Sequence, residues 1–429
     1  MAAKPSLSQT LAGQRWVEQF EAKDHAAAAE LLDAMLLLNG EQVMSAQRSG
    51  LDELAAERHG VRGMLRRRVA LYAEREMAES EAFVSKLIPD RAKKPRMRAT
   101  GPRRLAPISP RRGAARVGSE GLAAFVIGQA VKRWPRIFIN HPGPETIRLQ
   151  RTGTIVIVTD FVGSGTRVAG MLDKFWRVPS VRSWWSLGWI KFAVVAAAGT
   201  AEGMKALGGH RVAPTMKIRH IAPTINTAEP ALRERWRALI ESRQPVSARG
   251  APALGFKDNA ALIAFSYRIP NNTPAIVHAD GGGLRPLFKG PVPQDSEVAF
   301  MEPPHEQRVS AAVALTGVEV TQKLSLAETE VLLVLRAVRG RWRSGAEVEL
   351  AERTGLFLTE VKAVKVRAER EGFLDGSGRL TDEGHKTLEA GFRGGRRRSD
   401  LPTNPDPFYP WTLRVPGRSL SKGRLRRRP

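Results

Sequence analysis

The residues with the clearest chemical potential lie near the middle of the chain, in the segment TIVIVTDFVGSGTR at positions 154–167. A β-branched run ends in Asp160, and a glycine-containing turn and the start of a helix follow it. Glycines let backbone N–H groups approach a phosphate closely, and the N-terminus of the next helix adds a partial positive charge. The segment therefore predicts a phosphate- and ribose-binding turn at the carboxyl end of a buried strand. Its candidate ligand-binding residues are Thr159, Gly163, Ser164, Gly165, Thr166 and Arg167.

Asp160 is the candidate catalytic residue, because an acid at a strand end can accept hydrogen bonds from ribose hydroxyls, directly or through Mg²⁺ and water. A purely structural strand-to-helix turn explains the same pattern and stays open. If the turn does hold a ligand, catalysis and a binding-only role both stay open. The sequence has no P-loop motif and no complete dinucleotide fingerprint, and its eight histidines show no metal-ligand spacing.

From about residue 119 onward, predicted strands alternate with predicted helices, which indicates an α/β fold with a parallel, doubly wound sheet. Continuous apolar runs predict strands buried on both faces. The strands are expected over Thr154–Thr159, Lys191–Ala198, His210–Ile221 and Ala260–Tyr267. The helices are expected over Glu120–Lys132, Val168–Trp176 and Glu202–Leu207.

The flanking regions have a different character. Apolar residues at helical spacing predict an N-terminal helical module, with a second helix ending near Asn39-Gly40 and a third over about Arg62–Ile88. The run from Glu349 to Leu374 has a helix-turn-helix pattern followed by a short β wing, which is typical of a winged helix. The predicted division is a helical module at 1–88, a basic flexible linker at 89–118, an α/β domain at 119–305, a linker at 306–324, a winged helix at 325–392 and a basic tail at 393–429.

The positive charge of the chain is concentrated in two stretches. The 429 residues carry 68 Lys plus Arg against 43 Asp plus Glu, a net charge of +25. Pro89–Gly118 and Gly391–Pro429 each carry +9 of this excess. Such segments attract phosphate backbones in a salt-dependent, sequence-independent way. The alternative, a solvated linker and a loose tail, stays open.

The winged helix is close to neutral, with eleven basic and twelve acidic residues between Ser325 and Phe392. Use of this module for nucleic acid and use for protein partners are therefore both open. The basic residues expected to contact nucleic acid are Lys362, Lys365, Arg367, Arg370, Arg396, Arg397 and Arg398.

The absence of cysteine excludes a disulfide scaffold, thiolate metal sites and a cysteine nucleophile. The longest purely apolar stretch, 192–198, is far shorter than the roughly 20 residues of a membrane span. The first residues lack the apolar region of a secretory signal. We expect a cytoplasmic protein with no membrane partner.

The segment at 159–165, TDFVGSG, resembles the DDF(I/V)GSG signature of the phosphoribosyltransferase-like family of prokaryotic conflict systems. Three further segments resemble that family: RWVEQFEAKDHAAAAELLDAM near the N-terminus, Gly118–Gly121, and ALIAFSYRIPNNTPAIVH followed by Leu284–Phe288. Together the four segments cover about residues 15–290. The chain departs from the signature at Thr159, which stands where the family has the first of two acids.

The resemblance implies a sheet of the type I phosphoribosyltransferase type, and glycosyl transfer or hydrolysis at C1 of a 5-phosphoribosyl donor. The ligand would be phosphoribosyl diphosphate or a nucleotide, and a Mg²⁺ would bind through Asp160. Ser119, Glu120, Asn271 and Asn272 become candidate pyrophosphate or acceptor contacts, while a simple N-cap by Ser119 and a plain turn at Asn271-Asn272 stay open. The resemblance also implies an effector or accessory role in a bacterial anti-phage, retron-type system, with a ribonucleoprotein such as a reverse transcriptase and its RNA or DNA as partner. Since Thr159 weakens the acidic pair, a non-catalytic, nucleic-acid-binding scaffold is the alternative.

Overall fold

The computed structural model describes residues 6–59, 67–76, 81–90, 93–101, 119–243, 252–279, 283–288, 292, 294–300, 305–316, 324–338, 342, 346–354 and 356–391. All structural statements below concern these residues. Among them, no helix combines the length and the apolar character that crossing a membrane requires.

The first part of the chain alternates short helices and strands before the main sheet is complete. Its elements are α1 (Leu11–Val17), α2 (His25–Asp33), β1 (Leu36–Leu38), α3 (Gly40–His59), β2 (Arg68–Ala73), β3 (Ser85–Asp90), β4 (Lys93–Ala99), α4 (Ser119–Arg133), β5 (Phe138–Asn140) and α5 (Pro144–Leu149).

The central part supplies the rest of the sheet and its covering helices. Its elements are β6 (Thr152–Val162), α6 (Thr166–Arg177), α7 (Pro179–Ser186), β7 (Lys191–Gly199), α8 (Ala201–Gly208), β8 (Thr215–Ile221), α9 (Pro230–Ser242), β9 (Ile263–Phe265), α10 (Ala275–His278) and α11 (Gln294–Glu297).

Five strands form one parallel sheet in the order β5-β2-β6-β7-β8. In chain order this is 2-1-3-4-5, a doubly wound arrangement whose direction of winding reverses between β2 and β6. The remaining strands pair outside this sheet, β1 with β9 in parallel and β3 with β4 as an antiparallel hairpin.

Helices cover both faces of the sheet, because alternate residues of each strand point to opposite sides. On one face, Ile155, Ile157 and Val194 pack with α6 and α7. On the other face, Val156 and Val195 pack with α3 and α4. The central strands are therefore buried on both sides, as their continuous apolar runs predict.

A second core joins the N-terminal helices to the region after β8. Trp16 of α1 and Leu31 of α2 are fully buried with Trp236 of α9 and Ile276 of α10. Residues distant in sequence therefore share one packed unit, and the N-terminal helices fold with the α/β domain.

The C-terminal part is a winged helix that lies against the edge of the sheet. Its helices are α12 (His305–Thr316), α13 (Leu326–Val338), α14 (Ala346–Thr354), α15 (Leu358–Arg370) and α16 (Asp382–Gly391), and Leu374 pairs with Leu380 in the wing. Phe357, which precedes α15, has its ring centroid 4.6 Å from that of His220 on β8. The Arg219 guanidinium lies 4.9 Å from the Phe357 centroid, and Ile221 packs against the winged-helix core.

The prediction of a third N-terminal helix over about Arg62–Ile88 is wrong. Arg68–Ala73 is a strand inside the main sheet and Ser85–Asp90 belongs to the hairpin. The stop predicted at Asn39-Gly40 is also wrong, because Asn39 accepts from Gln42 N at 2.9 Å and so begins α3. The residues up to 88 are thus not an independent helical module.

The two predicted linkers also contain regular structure. Lys93–Ala99, inside the flexible linker predicted at 89–118, is a strand, and most of the linker predicted at 306–324 is helix α12.

Candidate functional site

The carboxyl ends of β2 and β6 meet at the point where the sheet reverses its winding, which is where open α/β sheets bind ligands. Glu74 follows β2 and donates its backbone N–H to Val158 on β6 at 2.8 Å. Thr159 and Asp160 lie near the carboxyl end of β6, and the Gly163–Gly165 turn follows the strand. We call this place the switch point.

The turn has the backbone geometry that a phosphate site needs. Gly165, the residue before α6, has φ +74°, a left-handed conformation that favours glycine. Among the described residues, the amides of Ser164, Gly165 and Thr166 donate no hydrogen bond to protein. The hydroxyls of Ser164 and Thr166 lie 3.0 Å apart. These groups therefore face one place at the positive end of the α6 dipole.

Helix α8 fixes the opposite side of the turn. Thr200, which precedes α8, donates its hydroxyl to Gly163 O at 2.7 Å and accepts from Gly203 N at 3.0 Å. A Cβ on Gly203 would lie 1.9 Å from the same Gly163 carbonyl. Only a glycine at 203 permits this approach, so the turn is held by backbone contact rather than by side chains alone.

Asp160 is buried and already engaged. Its side chain accepts from Tyr267 Oη at 3.0 Å and from Arg268 Nη2 at 3.0 and 3.3 Å, and only 2% of the residue is exposed. Burial, followed by the Asp160 charge, raises the pKa of Tyr267, so its hydroxyl stays protonated and donates. In this conformation Asp160 positions Arg268 instead of facing a ribose.

The same contacts decide whether Asp160 fits a magnesium ion. Both carboxylate oxygens already accept hydrogen bonds, and one of the donors is a cationic guanidinium. A hard cation needs free oxygens and is repelled by a neighbouring positive charge. The residues at Asp160 therefore do not fit a resident Mg²⁺ as they stand.

A second carboxylate, Glu74, lies beside the turn. It is 5% exposed, and its Oε1 lies 3.1 Å from Arg167 Nε. Arg167 also reaches Glu120 of α4, with Nη2 3.7 Å from Oε1. Burial raises the pKa of Glu74 to about 7, although the Arg167 cation works in the opposite direction.

Thr159 links the two carboxylates. Its Oγ1 lies 3.5 Å from Glu74 Oε2 and 3.5 Å from Asp160 Oδ1. A hydroxyl carries one proton, so it donates to only one of the two at a time. Glu74, Thr159, Asp160, Arg167 and Arg268 therefore form one connected set, which we call the switch-point network.

The other residues predicted near the site have separate outcomes. Glu120 is brought to Arg167, and Ser119 is buried beside it at the start of α4. Asn272 is brought to the turn, since a Cβ on Gly163 would lie 2.2 Å from its Oδ1. Asn271 is exposed, and its carbonyl accepts from Phe256 N at 2.8 Å, which holds a loop rather than the turn.

The basic residues predicted on the winged helix lie on α15. Lys362 and Arg370 are exposed, whereas Lys365 lies 3.4 Å from Glu347 and Arg367 lies 2.8 Å from Glu371. Arg396, Arg397 and Arg398 lie outside the described residues.

Sequence reasoning missed three members of the site: Glu74, Tyr267 and Arg268. Glu74 directly follows the apolar run VALYA, and that run was interpreted as helix. Tyr267 is the last residue of the strand predicted over Ala260–Tyr267, and Arg268 follows it, whereas β9 itself ends at Phe265. Polar residues at or immediately after the ends of strands were thus the available signal. The sequence did not show that these residues come together in the folded protein.

Comparison with protein families agrees with this geometry. The family model PRTase-CE matches residues 14–289, and a model described as wHTH-PRTase associated matches residues 332–415. The chain therefore belongs to the phosphoribosyltransferase-like PRTase-CE family and carries the winged helix associated with it. The predicted resemblance, the fold class and the C-terminal winged helix are confirmed. Comparisons with curated proteins and with solved structures give no match.

Proposed function

We propose that the chain binds a 5-phosphoribosyl or nucleotide ligand, with a phosphate group on the Gly163–Thr166 turn and against Arg167. The observation that carries this proposal is the set of amides at 164–166, which donate no hydrogen bond to any residue that the structure describes and lie at the start of α6 and at the switch point of the sheet. Backbone amides, two hydroxyls and a guanidinium are the donors that phosphate prefers.

The reaction we propose is glycosyl transfer or hydrolysis with phosphoribosyl diphosphate. The bond from ribose C1 to the diphosphate oxygen breaks, and the diphosphate leaves with the bonding electrons. An acceptor atom or water forms the new bond to C1 and loses a proton to solvent. The chain's part is to hold the phosphate at the turn, and any Mg²⁺ would arrive on the diphosphate.

Isothermal titration with phosphoribosyl diphosphate and Mg²⁺ tests binding. Arg167→Gln removes a charge-assisted phosphate contact and should weaken binding by roughly tenfold. Arg182→Gln on α7, an exposed arginine away from the turn, is the matched control and should bind like the wild type. The absence of binding by the wild type would refute the proposal.

A binding-only role is the second candidate, and a specific observation favours it. Asp160, the predicted catalytic acid, is held by Tyr267 and Arg268, and Thr159 offers no second charge. Diphosphate release by wild-type protein that binds the donor would support catalysis. Binding of the donor without release of diphosphate, tested with each candidate acceptor class and with water, would support the scaffold role.

We further propose that the basic segments and α15 contact nucleic acid without reading its sequence. Helix-turn-helix proteins read bases with the first residues of the second helix. Here Phe357 and Leu358 at that end are buried, at 9% and 2% exposed, and Phe357 packs on β8. Lys362 and Arg370 are exposed and can approach a phosphate backbone, although Arg370 Nη2 also lies 3.8 Å from Glu371 Oε1.

Deletion of 391–429 should weaken binding to nucleic acid and flatten its dependence on salt, because fewer counterions are released. Two duplexes of unrelated sequence should bind with equal affinity. An unchanged salt slope after the deletion would refute the role of the tail, and a strong preference between duplexes would refute sequence-independent contact.

The family resemblance supports a further proposal, a cytoplasmic role in a bacterial anti-phage, retron-type system with a reverse transcriptase ribonucleoprotein as partner. Phage plating on cells that express the chain with its neighbouring genes tests it. The wild type should reduce plating and Arg167→Gln should not. Equal plating with and without the chain would contradict this role.

A further inference from the structure

We propose that anion binding at the turn is coupled to proton uptake by Glu74, which loses Arg167 as its counterion when the anion takes that arginine. This inference rests on the proposed phosphate site and specifies how the same site responds to its ligand. It concerns Glu74, which lies 85 positions before Thr159 and directly follows a different strand, β2.

The geometry makes Arg167 the shared group. Its guanidinium lies 3.1 Å from Glu74, its side chain is 39% exposed, and it belongs to the first turn of α6 beside the unbonded amides. A phosphate at those amides approaches the same guanidinium. Arg167 can turn toward solvent and the anion, whereas Glu74 is buried at the end of β2 and cannot follow.

Among the described residues, two cations lower the pKa of Glu74, Arg167 and Arg268, and Arg167 is the one in ion-pair contact with it. The charged groups that act on it are Arg167 of α6, Asp160 of β6, Glu120 of α4 and Arg268 after β9. Arg268 is bound to Asp160 at 3.0 Å, and the other two are acids. His141 lies nearby and accepts from Ala73 N through Nε2 at 3.0 Å. A buried carboxylate that loses its ion-pair partner takes up a proton rather than keep an unpaired charge.

The titration behaviour agrees with this. With Arg167 in place, burial already raises the pKa of Glu74 to about 7. Withdrawal of Arg167 removes a cause that lowers this pKa, and a nearby anion raises it further. A group with a pKa of about 7 is roughly three-quarters ionised at pH 7.5, so anion binding takes up at most about three-quarters of a proton.

Sulfate is the probe, because it resembles phosphate but does not titrate near neutral pH. Isothermal titration of the full chain with sodium sulfate in buffers of different ionisation enthalpy gives the number of protons taken up. We expect uptake of a fraction of a proton at pH 7.5, at most about three-quarters, falling toward zero near pH 5 where Glu74 is already protonated. Sulfate binding with no proton uptake at pH 7.5 would overturn the inference and leave the phosphate site intact. Failure of both sulfate and phosphoribosyl diphosphate to bind would instead overturn the proposed function.

Two variants identify the proton acceptor. Glu74→Gln keeps the size of the side chain and should bind sulfate with no proton uptake. Glu120→Gln, which removes the other carboxylate near Arg167, should keep the uptake because Glu120 is 44% exposed. Uptake that persists in Glu74→Gln, or that disappears in Glu120→Gln, would assign the proton elsewhere. The wild-type measurement stands alone if a variant does not fold.

Discussion

The switch point and helix α15 both pair arginines with carboxylates, but they do so in opposite ways. At the switch point, Asp160 and Glu74 are almost fully buried, and their partners Arg268 and Arg167 come from other segments of the chain. On α15, Arg367 pairs with Glu371 four residues later, and both are about one-third exposed. Buried carboxylates must be paired or neutralised, whereas exposed pairs contribute little to stability.

This difference in burial implies a difference in role. The buried pairs at the switch point can respond to a bound ligand, whereas the exposed pair on α15 lies on a solvated surface. A substitution at the switch point leaves a partner in a poorly solvated place, so its effect depends on pH and on bound anions. A substitution on α15 is compensated by water. The stability of the winged helix instead depends on apolar contacts, such as that of Phe357 with β8.

The largest effect on stability is expected at that apolar contact. Phe357→Ala removes a ring that packs against His220 and under Arg219, and should lower the free energy of unfolding by about 3 kcal/mol. Urea unfolding measures this loss. Val366→Ala on the same helix, where the side chain is 66% exposed, should change it by less than about 0.5 kcal/mol. Equal losses in the two variants would show that the contact with β8 does not stabilise the molecule.

The next effect depends on pH. Burial raises the pKa of Glu74 to about 7 in the folded protein, against about 4.5 for an ordinary glutamate. The folded state therefore binds more protons than the unfolded state, and stability falls as pH rises from about 4.5 to 7. Glu74→Gln should remove about 2–3 kcal/mol of that decline. Urea unfolding at pH 4.5, 6 and 8 compares the two proteins, and parallel pH profiles would contradict a buried, titrating Glu74.

A smaller effect is expected where α8 touches the turn. Gly203→Ala places a methyl group against the Gly163 carbonyl and should cost about 2 kcal/mol, because backbone must move. Gly170→Ala in α6 meets no atom within 4 Å and should stabilise the protein by up to about 1 kcal/mol. Thermal unfolding of both variants is the measurement. A Gly203→Ala protein as stable as Gly170→Ala would mean that the turn is not held by α8.

The smallest effect is expected at the exposed pair on α15. Arg367→Gln should change the free energy of unfolding by less than about 0.5 kcal/mol, since water takes the place of the guanidinium beside the exposed Glu371 carboxylate. A urea titration in low salt and in 0.5 M salt checks this. A loss above about 1 kcal/mol in both would show that α15 charges act like those of the switch point and would remove the contrast between the two regions.

The elements that could be predicted from the sequence are those determined by residues adjacent in the chain. The buried strands β6 and β7, the glycine turn and the winged helix follow from runs of adjacent residues. Strand β2 did not, because VALYA is followed by Glu74, Arg75 and Glu76, which favour helix as much as strand. Its place in the sheet is decided by partners more than 60 residues away.

The polar contacts of the site could not be predicted for the same reason. Arg268 reaches Asp160 across 108 residues, and Arg167 reaches Glu74 because β2 and β6 are neighbours in the sheet. Nothing in the spacing of these residues indicates such pairs. What the sequence did show was polar residues directly after strands, and these do meet at the edge where the strands end.

Helix α8 has a consequence for the molecule as a whole. Its first turn contacts the Gly163 carbonyl, while Met204, one residue after Gly203, packs against the core of the winged helix. Eight residues thus touch both of the contrasted regions without belonging to either. A displacement of α8 by one ångström would change its contact with the Gly163 carbonyl and its contact with the winged-helix core together. The position of this helix therefore links the anion turn to the winged helix.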